Sequence, residues 1–266
     1  MFYEKKSRNL EYMALGTLVQ PSYIHFHNEV EMIINMGRGA DANVFINTKK
    51  YSLSNYMDAI IITPGQIHSF ETLHKGLFFA FIFPAEYIPR LQNVLTNQCP
   101  ENPFLNIRDI GAEEVLMDFW SRNGQLPADI KHLRTSLLVG YLNILMSYIY
   151  LNLNFVDANN NSDIVKKVIV YLTENYTEAI SLTDLSEKFN LPSSLISKQF
   201  NASTGITVPS FLNWLRVSKA AEMLATTSYT ATVISNAVGF RTIRNFNRSF
   251  AEFYGITPSQ YRKTHI

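Results

Sequence analysis

Cysteine is almost absent from this sequence, and net charge is nearly zero. A single cysteine, Cys99, stands among 266 residues, which excludes a disulfide framework within the chain and is typical of a protein kept in a reducing cytosol. The formal net charge is only +1. The run from Met1 to Arg8 is too polar for the apolar core of a signal peptide. We therefore expect a cytoplasmic protein.

Long uncharged runs are also scarce, and the one that exists is a poor membrane span. Residues 136–156 carry no charged side chain and are rich in Leu, Ile and Tyr, a length that could cross a bilayer. However, Gly140, Asn143 and Ser147 interrupt the run, and polar side chains in hydrocarbon are costly. We expect no membrane contact and instead a long helix that packs against its own domain and a partner subunit.

Apolar residues are abundant enough for two packed domains. They make up 47% of the 266 residues, with 13% aromatics, so the chain can bury two separate cores. The charge is divided unevenly. Residues 1–162 hold 12 basic and 15 acidic residues, whereas residues 163–266 hold 11 and 7. A basic excess in the C-terminal part is what a nucleic-acid-binding domain requires.

The hydrophobic pattern changes along the chain. Residues 10–84 show short apolar or alternating runs between turn-forming residues, which predicts a β-rich region. The predicted strands are Met32–Met36, Ala42–Ile46, Ala59–Thr63 and Leu77–Phe83. Helical spacing follows, and the predicted helices are Tyr87–Leu95, Ile110–Trp120 and Pro127–Leu153. We predict a first domain at residues 1–156, a linker at 157–163 and a helical domain at 164–266.

One pattern occurs twice in the last hundred residues, beginning at Leu185 and again at Ile234. Each copy places apolar residues one helical turn apart, a serine where two helices must touch, and Asn190 or Gly239 where the first helix ends. This is the pattern of a helix-turn-helix unit, whose second helix can enter the major groove of DNA. The two predicted units span residues 182–203 and 231–254. Two such units favour a protein that contacts two successive grooves.

The second helix of the second unit has one strongly basic face. At 100° per residue, Arg241, Arg244 and Arg248 lie within about 60° of one another, flanked by Asn245 and Asn247. The opposite face is apolar and carries Ile243, Phe246, Phe250 and Phe253. Arginine can bind guanine, asparagine can pair with adenine, and either can hold a phosphate. The alternative is the solvated face of an ordinary helical bundle, but the duplicated motif favours DNA binding by these polar residues.

The matching helix of the first unit is chemically poorer. Its exposed positions are predicted to be Ser193, Ser194, Ser197, Lys198 and Asn201. Serine hydroxyls can contact phosphates or bases, but Lys198 is the one cation of this set. We therefore expect the serines and Lys198 to position the protein on DNA, while the second unit supplies most of the salt-dependent affinity.

The last hundred residues resemble the AraC/XylS-type transcription regulators. The matching segments are Ile180–Ser186, Leu195–Phe200, Gly239-Phe240, Phe246–Phe250 and Gly255–Arg262, together with Arg216 and Ala220. The resemblance implies seven helices in two subdomains that bind side by side on an asymmetric site, with the grooves about 34 Å apart. It also implies a homodimer that works with RNA polymerase. Asn201 and Ala251 stand where the family commonly has a basic residue, which argues for weaker phosphate binding.

The β-rich region resembles the cupin-type sensor domain that is often joined to this DNA-binding module. The matching residues are His25, His27, Glu31, Gly37, Pro64, Gly65, His68, Ser69 and Phe70. In metal-binding cupins the positions of the three histidines and Glu31 hold a metal ion, whereas regulators often keep this outline without metal. We predict that His25, His27, Glu31, His68 and Phe70 contact an effector, and we assign no metal, cofactor or catalytic residue. A bound metal and purely structural imidazoles are the alternatives.

Two further apolar segments carry functional expectations. Leu77–Phe83 is apolar on both faces, which predicts a strand between a barrel interior and packed helices. Its aromatic side chains could stack on a sugar or enclose an apolar ligand, or could be plain core. The long helix after Pro127 has more apolar surface than a small barrel needs, so we expect part of it to form a dimer interface.

The sequence thus predicts a two-domain α+β protein. The first domain is a cupin-like β-barrel followed by helices, and the second is an all-α domain of about seven helices with two helix-turn-helix units. The predicted function is that of a non-enzymatic transcription regulator, an activator controlled by a small-molecule effector such as a sugar. The alternative is a metal-binding cupin enzyme, or a metal sensor, fused to a DNA-binding module.

Overall fold

A computed structural model describes residues 16–17, 22–74, 76–125, 131–158 and 163–265. The chain divides into two units, Met1–Asn160 and Asn161–Ile266. In the described residues, the first unit holds the strands and three α-helices, and the second is helical. Three predictions fall outside the described residues: the polar N-terminal run, the helix start at Pro127, and residues 159–162 of the linker.

The first unit is built on two antiparallel sheets. One has the strand order β1-β8-β3-β6-β10 and the other β2-β7-β4-β5, while β9 pairs with β11. The strands are β1 (Gly16–Thr17), β2 (Ser22–His25), β3 (Val30–Asn35), β4 (Asp41–Ile46), β5 (Lys49–Leu53), β6 (Asp58–Ile62), β7 (His68–His74), β8 (Leu77–Phe83), β9 (Gln98–Pro100), β10 (Phe104–Asn106) and β11 (Phe155–Asp157). Among the described strands no ladder joins the two larger sheets. The predicted cupin-like domain is therefore present as two sheets and not as a closed barrel.

Alternate side chains of β8 contribute to two different cores. Phe78 packs between the sheets, in one cluster with Val44 of β4. Phe79, Phe81 and Phe83 lie in a second cluster with the helices of this unit, because neighbouring residues of a strand face opposite sides. The strand therefore lies between the space enclosed by the sheets and the packed helices, as predicted. Of the two roles left open for its phenylalanines, plain core applies to Phe79, Phe81 and Phe83, which join the sheet to the helices.

The helices of the first unit pack on the five-stranded sheet. After a 3₁₀ turn at Ala85–Tyr87 they are α1 (Gln92–Asn97), α2 (Glu113–Gln125) and α3 (Lys131–Asn152). On α3, Leu142 and Ile149 are buried. Ile144, Tyr148 and Leu151 lie on the opposite side of the same helix and are exposed. Within the described ranges no helix has both the length and the hydropathy that a membrane span needs.

The second unit has seven helices in its described residues, as the sequence predicts. They are α4 (Asp163–Glu174), α5 (Leu182–Phe189), α6 (Ser193–Thr204), α7 (Val208–Thr226), α8 (Ala231–Ala237), α9 (Ile243–Tyr254) and α10 (Pro258–His265). The central helix α7 buries Phe211, Leu215, Val217 and Leu224. Because α6, α8, α9 and α10 all contact α7, this helix links the α5–α6 pair to the α8–α9 pair.

Candidate functional site

The first helix-turn-helix pair is fixed by a cap and a left-handed turn. The backbone N–H of Asp184 donates to Ser181 Oγ at 3.2 Å, and the N–H of Ser181 donates to Asp184 Oδ2 at 2.7 Å. This capping box starts α5. Asn190 ends the helix with a φ of 51°, and Ser186 Oγ then donates to the carbonyl of Leu191 at 2.6 Å. These contacts set the direction in which α6 leaves the turn.

The second pair depends on two small residues. Ser235 on α8 is completely buried, which allows α8 to pack closely on its neighbours. Gly239 follows α8 with a φ of 90°, and a Cβ at this position would lie 2.5 Å from the carbonyl oxygen of Thr177. Only glycine satisfies both the left-handed backbone and the close approach. Thr242 then caps α9, since its Oγ1 accepts from the N–H of Asn245 at 3.2 Å.

The basic residues of helix α9 are exposed to solvent, and two of its phenylalanines pack in the core of the second unit. Phe246 and Phe250 are fully buried. All five polar residues predicted to bind DNA on this helix and its N-terminal turn are exposed, namely Arg241, Arg244, Asn245, Asn247 and Arg248. Among the described residues, no acidic side chain forms an ion pair with any of the three arginines. The apolar side is narrower than predicted, because Ile243 and Phe253 remain partly exposed.

The corresponding helix α6 has fewer polar groups at its surface. Ser194 and Lys198 are exposed, whereas Ser193 and Ser197 are partly buried. Ile196 and Phe200 anchor the helix in the core. Of the residues predicted to bind DNA on this helix, the structure therefore leaves Lys198 and Ser194 exposed.

A basic cleft, which the sequence prediction missed, lies where the segment before α5, the helix α7 and the N-terminal part of α9 meet. It has a volume of about 450 Å³, and its lining includes Asn213 and Arg216 of α7 together with Arg241, Asn245 and Arg248. Three arginines and no acidic residue line it, a composition suited to an anion such as a backbone phosphate. The sequence signal was weak, because Arg216 and Arg248 lie on helices far apart in the chain.

Arg216 also ties the segment before α5 to α7. Its Nε donates to the carbonyl of Tyr176 at 2.7 Å and its Nη2 to that of Glu178 at 2.6 Å. The guanidinium lies 5.8 Å from the centre of the Phe240 ring. Burial lowers the pKa of Arg216, and the nearby charge of Arg241 acts in the same direction. The field in the cleft is therefore positive.

In the first unit, the structure brings together all five residues predicted to contact an effector. His25 is the register partner of His68 in the β2–β7 ladder, while Glu31 lies on β3 of the other sheet. Glu31 Oε2 is 2.9 Å from His27 Nε2 and 3.1 Å from His68 Nε2. The Phe70 ring lies edge-on to His68, with centroids 5.6 Å apart. We call His25, His27, Glu31 and His68 the histidine cluster; their ligand atoms all lie within 4.8 Å of one another.

The imidazoles of His27 and His68 in the histidine cluster have hydrogen-bond partners on both ring nitrogens, and the ionised form of the Glu31 carboxylate is favoured. Glu31 is buried, and burial alone would raise its pKa, but hydrogen bonds from His27 and His68 and their charges hold that pKa well below the ordinary value. His27 Nδ1 lies 3.0 Å from the carbonyl oxygen of Glu29, and His68 Nδ1 lies 2.8 Å from that of Gln66. Both imidazoles are therefore oriented by the backbone beside them.

Comparison with known proteins agrees with these features. Residues 185–264 match a protein family described as a helix-turn-helix domain. An HTH-type transcriptional regulator of Staphylococcus aureus strain COL is 27% identical over 215 residues, which are 78% of this chain and 28% of that protein. The raffinose operon transcriptional regulatory protein RafR of Pediococcus pentosaceus is 28% identical over 157 residues, 54% of this chain and 57% of RafR. This chain thus spans little more than a quarter of the first curated relative.

The structure of apo ToxT K231A from Vibrio cholerae aligns with 98% of this chain and 100% of its own, with a TM-score of 0.55 and 13% identity. A ToxT structure with an unsaturated fatty acid bound aligns with a TM-score of 0.51 and 13% identity, over 94% of this chain and 92% of its own. At this identity the likeness shows a shared fold. The helix-turn-helix match and the two capped helix pairs show that the second unit is a helix-turn-helix domain of the AraC type, which agrees with the resemblance to AraC/XylS-type transcription regulators.

Proposed function

We propose that this protein regulates transcription by binding double-stranded promoter DNA with α6 and α9 in two adjacent major grooves. The observation that carries the proposal is the polarity of α9. Its arginines and asparagines are exposed on one side, while Phe246 and Phe250 are buried on the other. Exposed arginines that lack an acidic partner remain available for guanine or phosphate.

The basic cleft supports the same proposal. Arg216, Arg241 and Arg248 line it beside the N-terminal end of α9, where the phosphate backbone at the edge of the groove would pass. Such contacts carry no sequence information but fix the register of the protein on the duplex. On α6, the roles of Ser193, Ser194, Ser197 and Lys198 are positioning and weaker base contacts.

The first unit is proposed to sense a small molecule and to dimerise. ToxT has been solved with an unsaturated fatty acid bound, and RafR is named for a raffinose operon; both support a small-molecule effector, and RafR favours a sugar. The exposed apolar stripe Ile144, Tyr148 and Leu151 on α3 is proposed as the homodimer contact. The protein would act in the cytoplasm as a non-enzymatic activator that contacts RNA polymerase.

The test is salt-dependent binding of the full chain to DNA from upstream of its own gene and, in parallel, to selected genomic fragments. We expect nanomolar affinity for a specific site, and a slope of log K against log salt that falls by about 0.9 for each lost phosphate contact. The double variant Arg244→Ala/Arg248→Ala should lose at least tenfold in affinity. The control is Lys167→Ala, a cation already paired with Asp163 at 3.0 Å. Absence of salt-dependent affinity for every fragment would refute the proposal.

A further inference from the structure

The basic cleft brings positive charges together without a negative charge to balance them. Arg216 of α7 lines the cleft with Arg241 and Arg248, and no acidic side chain is among the described residues of the lining. Burial lowers the pKa of Arg216, and the charge of Arg241 lowers it further, so the two guanidinium groups repel each other. An anion in the cleft would offset this repulsion and stabilise the charged arginines.

The guanidinium of Arg216 is held in place by the backbone before it contacts any ligand. Its Nε donates to the carbonyl oxygen of Tyr176 at 2.7 Å, and its Nη2 donates to that of Glu178 at 2.6 Å. A guanidinium has five N–H donors, and these two bonds leave the others for a ligand. Because the two carbonyls fix the plane of the group, little side-chain entropy is lost when an anion binds. Arg216 is therefore a preorganised donor to an anion.

The basic cleft is larger than a phosphate group alone requires. Its volume is about 450 Å³, which is the space of about fifteen water molecules at roughly 30 Å³ each. Pockets that enclose a whole small organic molecule have volumes of about 300–1,000 Å³. The space beside the arginines can therefore hold the organic part of a small phosphate ester.

The rest of the lining suits hydroxyl groups better than a flat aromatic ring. Asn213 and Asn245 line the cleft beside the arginines, and each side-chain amide can both donate and accept a hydrogen bond. Phe240 is the one aromatic residue among the described lining residues. It is only 6% exposed, and the Arg216 guanidinium lies 5.8 Å from its ring centre, so a nucleobase has no free ring face to stack on. The lining therefore favours a phosphorylated sugar or polyol.

We propose that the basic cleft is a second ligand site of this protein and binds a small sugar phosphate or phosphorylated polyol. The phosphate group contacts Arg216, Arg241 and Arg248, because guanidinium groups match the geometry and charge of phosphate oxygens. The hydroxyl groups of the ligand contact the amides of Asn213 and Asn245. All five residues belong to the second unit, so this site is separate from the histidine cluster of the first unit.

A ligand in this site would compete with DNA, a consequence that rests on the proposed function. Arg241 and Arg248 are exposed and are proposed to contact DNA, so they cannot bind a phosphate ester and the duplex fully at the same time. Competing ligands weaken each other's apparent binding in proportion to their concentration. A sugar phosphate at about ten times its own dissociation constant should therefore raise the Kd for DNA about tenfold.

The experiment measures ligand binding to the full chain by isothermal titration calorimetry at fixed ionic strength. The probes are glucose 6-phosphate, fructose 1-phosphate and glycerol 3-phosphate, and glucose and inorganic phosphate represent the two halves of the first probe. We expect about one equivalent of at least one ester per chain, bound at least about tenfold more tightly than inorganic phosphate, and no binding of glucose. The double variant Arg241→Ala/Arg248→Ala should lose at least about tenfold in that affinity. Both side chains are exposed, so their removal leaves the core intact.

The matched control is Arg244→Ala, because Arg244 lies on the same helix and is exposed but is not among the residues that line the cleft. This variant should weaken DNA binding and leave sugar-phosphate binding unchanged, so the two measurements test the proposed function and the ligand site separately. An equal loss of ester affinity in Arg244→Ala and in the double variant would indicate a general effect of surface charge and would overturn the proposal.

Two further results would also overturn it. One is the absence of binding by all three esters at millimolar concentration, and the other is inorganic phosphate binding as tightly as the esters. If the double variant fails to fold by circular dichroism, the competition measurement on the wild-type chain decides. A saturating ester that leaves the Kd for DNA unchanged would then refute the site, while DNA binding itself would still stand.

Discussion

At the scale of single residues, both the backbone conformation and the packing at position 239 require glycine. Its φ is 90°, and an added Cβ would lie 2.5 Å from the Thr177 carbonyl oxygen. A left-handed backbone costs an L-residue about 1–2 kcal/mol, and forced overpacking adds about 1–3 kcal/mol. We expect Gly239→Ala to lower the free energy of unfolding of the second unit by about 2–5 kcal/mol, measured by urea unfolding of the full chain.

The matched control for this substitution is Gly255→Ala. Gly255 also has a left-handed φ, of 70°, but nothing lies within 4 Å of an added Cβ. This variant should therefore cost only the backbone strain of about 1–2 kcal/mol. If the two variants lose the same free energy of unfolding, the close approach to Thr177 does not contribute to the cost of Gly239→Ala.

Single residues also mark the limit of what the sequence predicts. The exposed face of α9 follows from helical periodicity alone, so the arginine side could be assigned before the fold was known. The hydrogen bonds by which Arg216 holds the segment before α5 could not be predicted. Its hydrogen bonds reach Tyr176 and Glu178, about forty residues earlier, and no local pattern encodes a contact between such distant segments.

At the scale of elements, the two recognition helices differ in the charge they present. Three exposed arginines accompany α9, whereas Lys198 is the one cation of α6. We expect Arg248→Ala to weaken DNA binding more than Ser194→Ala, by a margin of about 1–3 kcal/mol when the arginine contacts a guanine. Gel shifts at two salt concentrations would measure both variants. A greater loss from Ser194→Ala would contradict the assignment of most affinity to α9.

Element boundaries were predictable where the local signal was strong. The apolar strand β8 has the predicted bounds, Leu77–Phe83. The polar strand β7 was missed, because its place in the sheet depends on pairing with β2 and β4 more than on its own composition. The helix predicted from Tyr87 begins only at Gln92, because Pro89 forces the preceding residue out of the helical region. Ile88 accordingly has φ −118° and ψ 73°.

At the scale of the whole molecule, the histidine cluster brings together residues from strands that are distant along the chain. His25 and His68 come from one sheet and Glu31 from the other. The order of these residues suggested a common site only through resemblance to cupins, and composition alone would not bring them together. The structure adds the carbonyl partners at Glu29 and Gln66, which no sequence pattern indicates and which orient the two inner imidazoles.

The proposed dimer is also a property of the whole molecule. Leu151 on α3 is 82% exposed and Ile144 is 48% exposed, so Leu151→Glu changes the surface without opening the core. We expect this variant to shift the full chain from dimer to monomer at micromolar concentration, as measured by sedimentation velocity, because a carboxylate cannot be buried unpaired in an apolar contact. The control is Met117→Glu on α2, because the apolar side chain of Met117 is also exposed, at 40%. This variant should sediment as the same dimer as the wild type. If the wild-type chain sediments as a monomer, the α3 stripe is not a dimer contact. The protein would then bind DNA as a single chain.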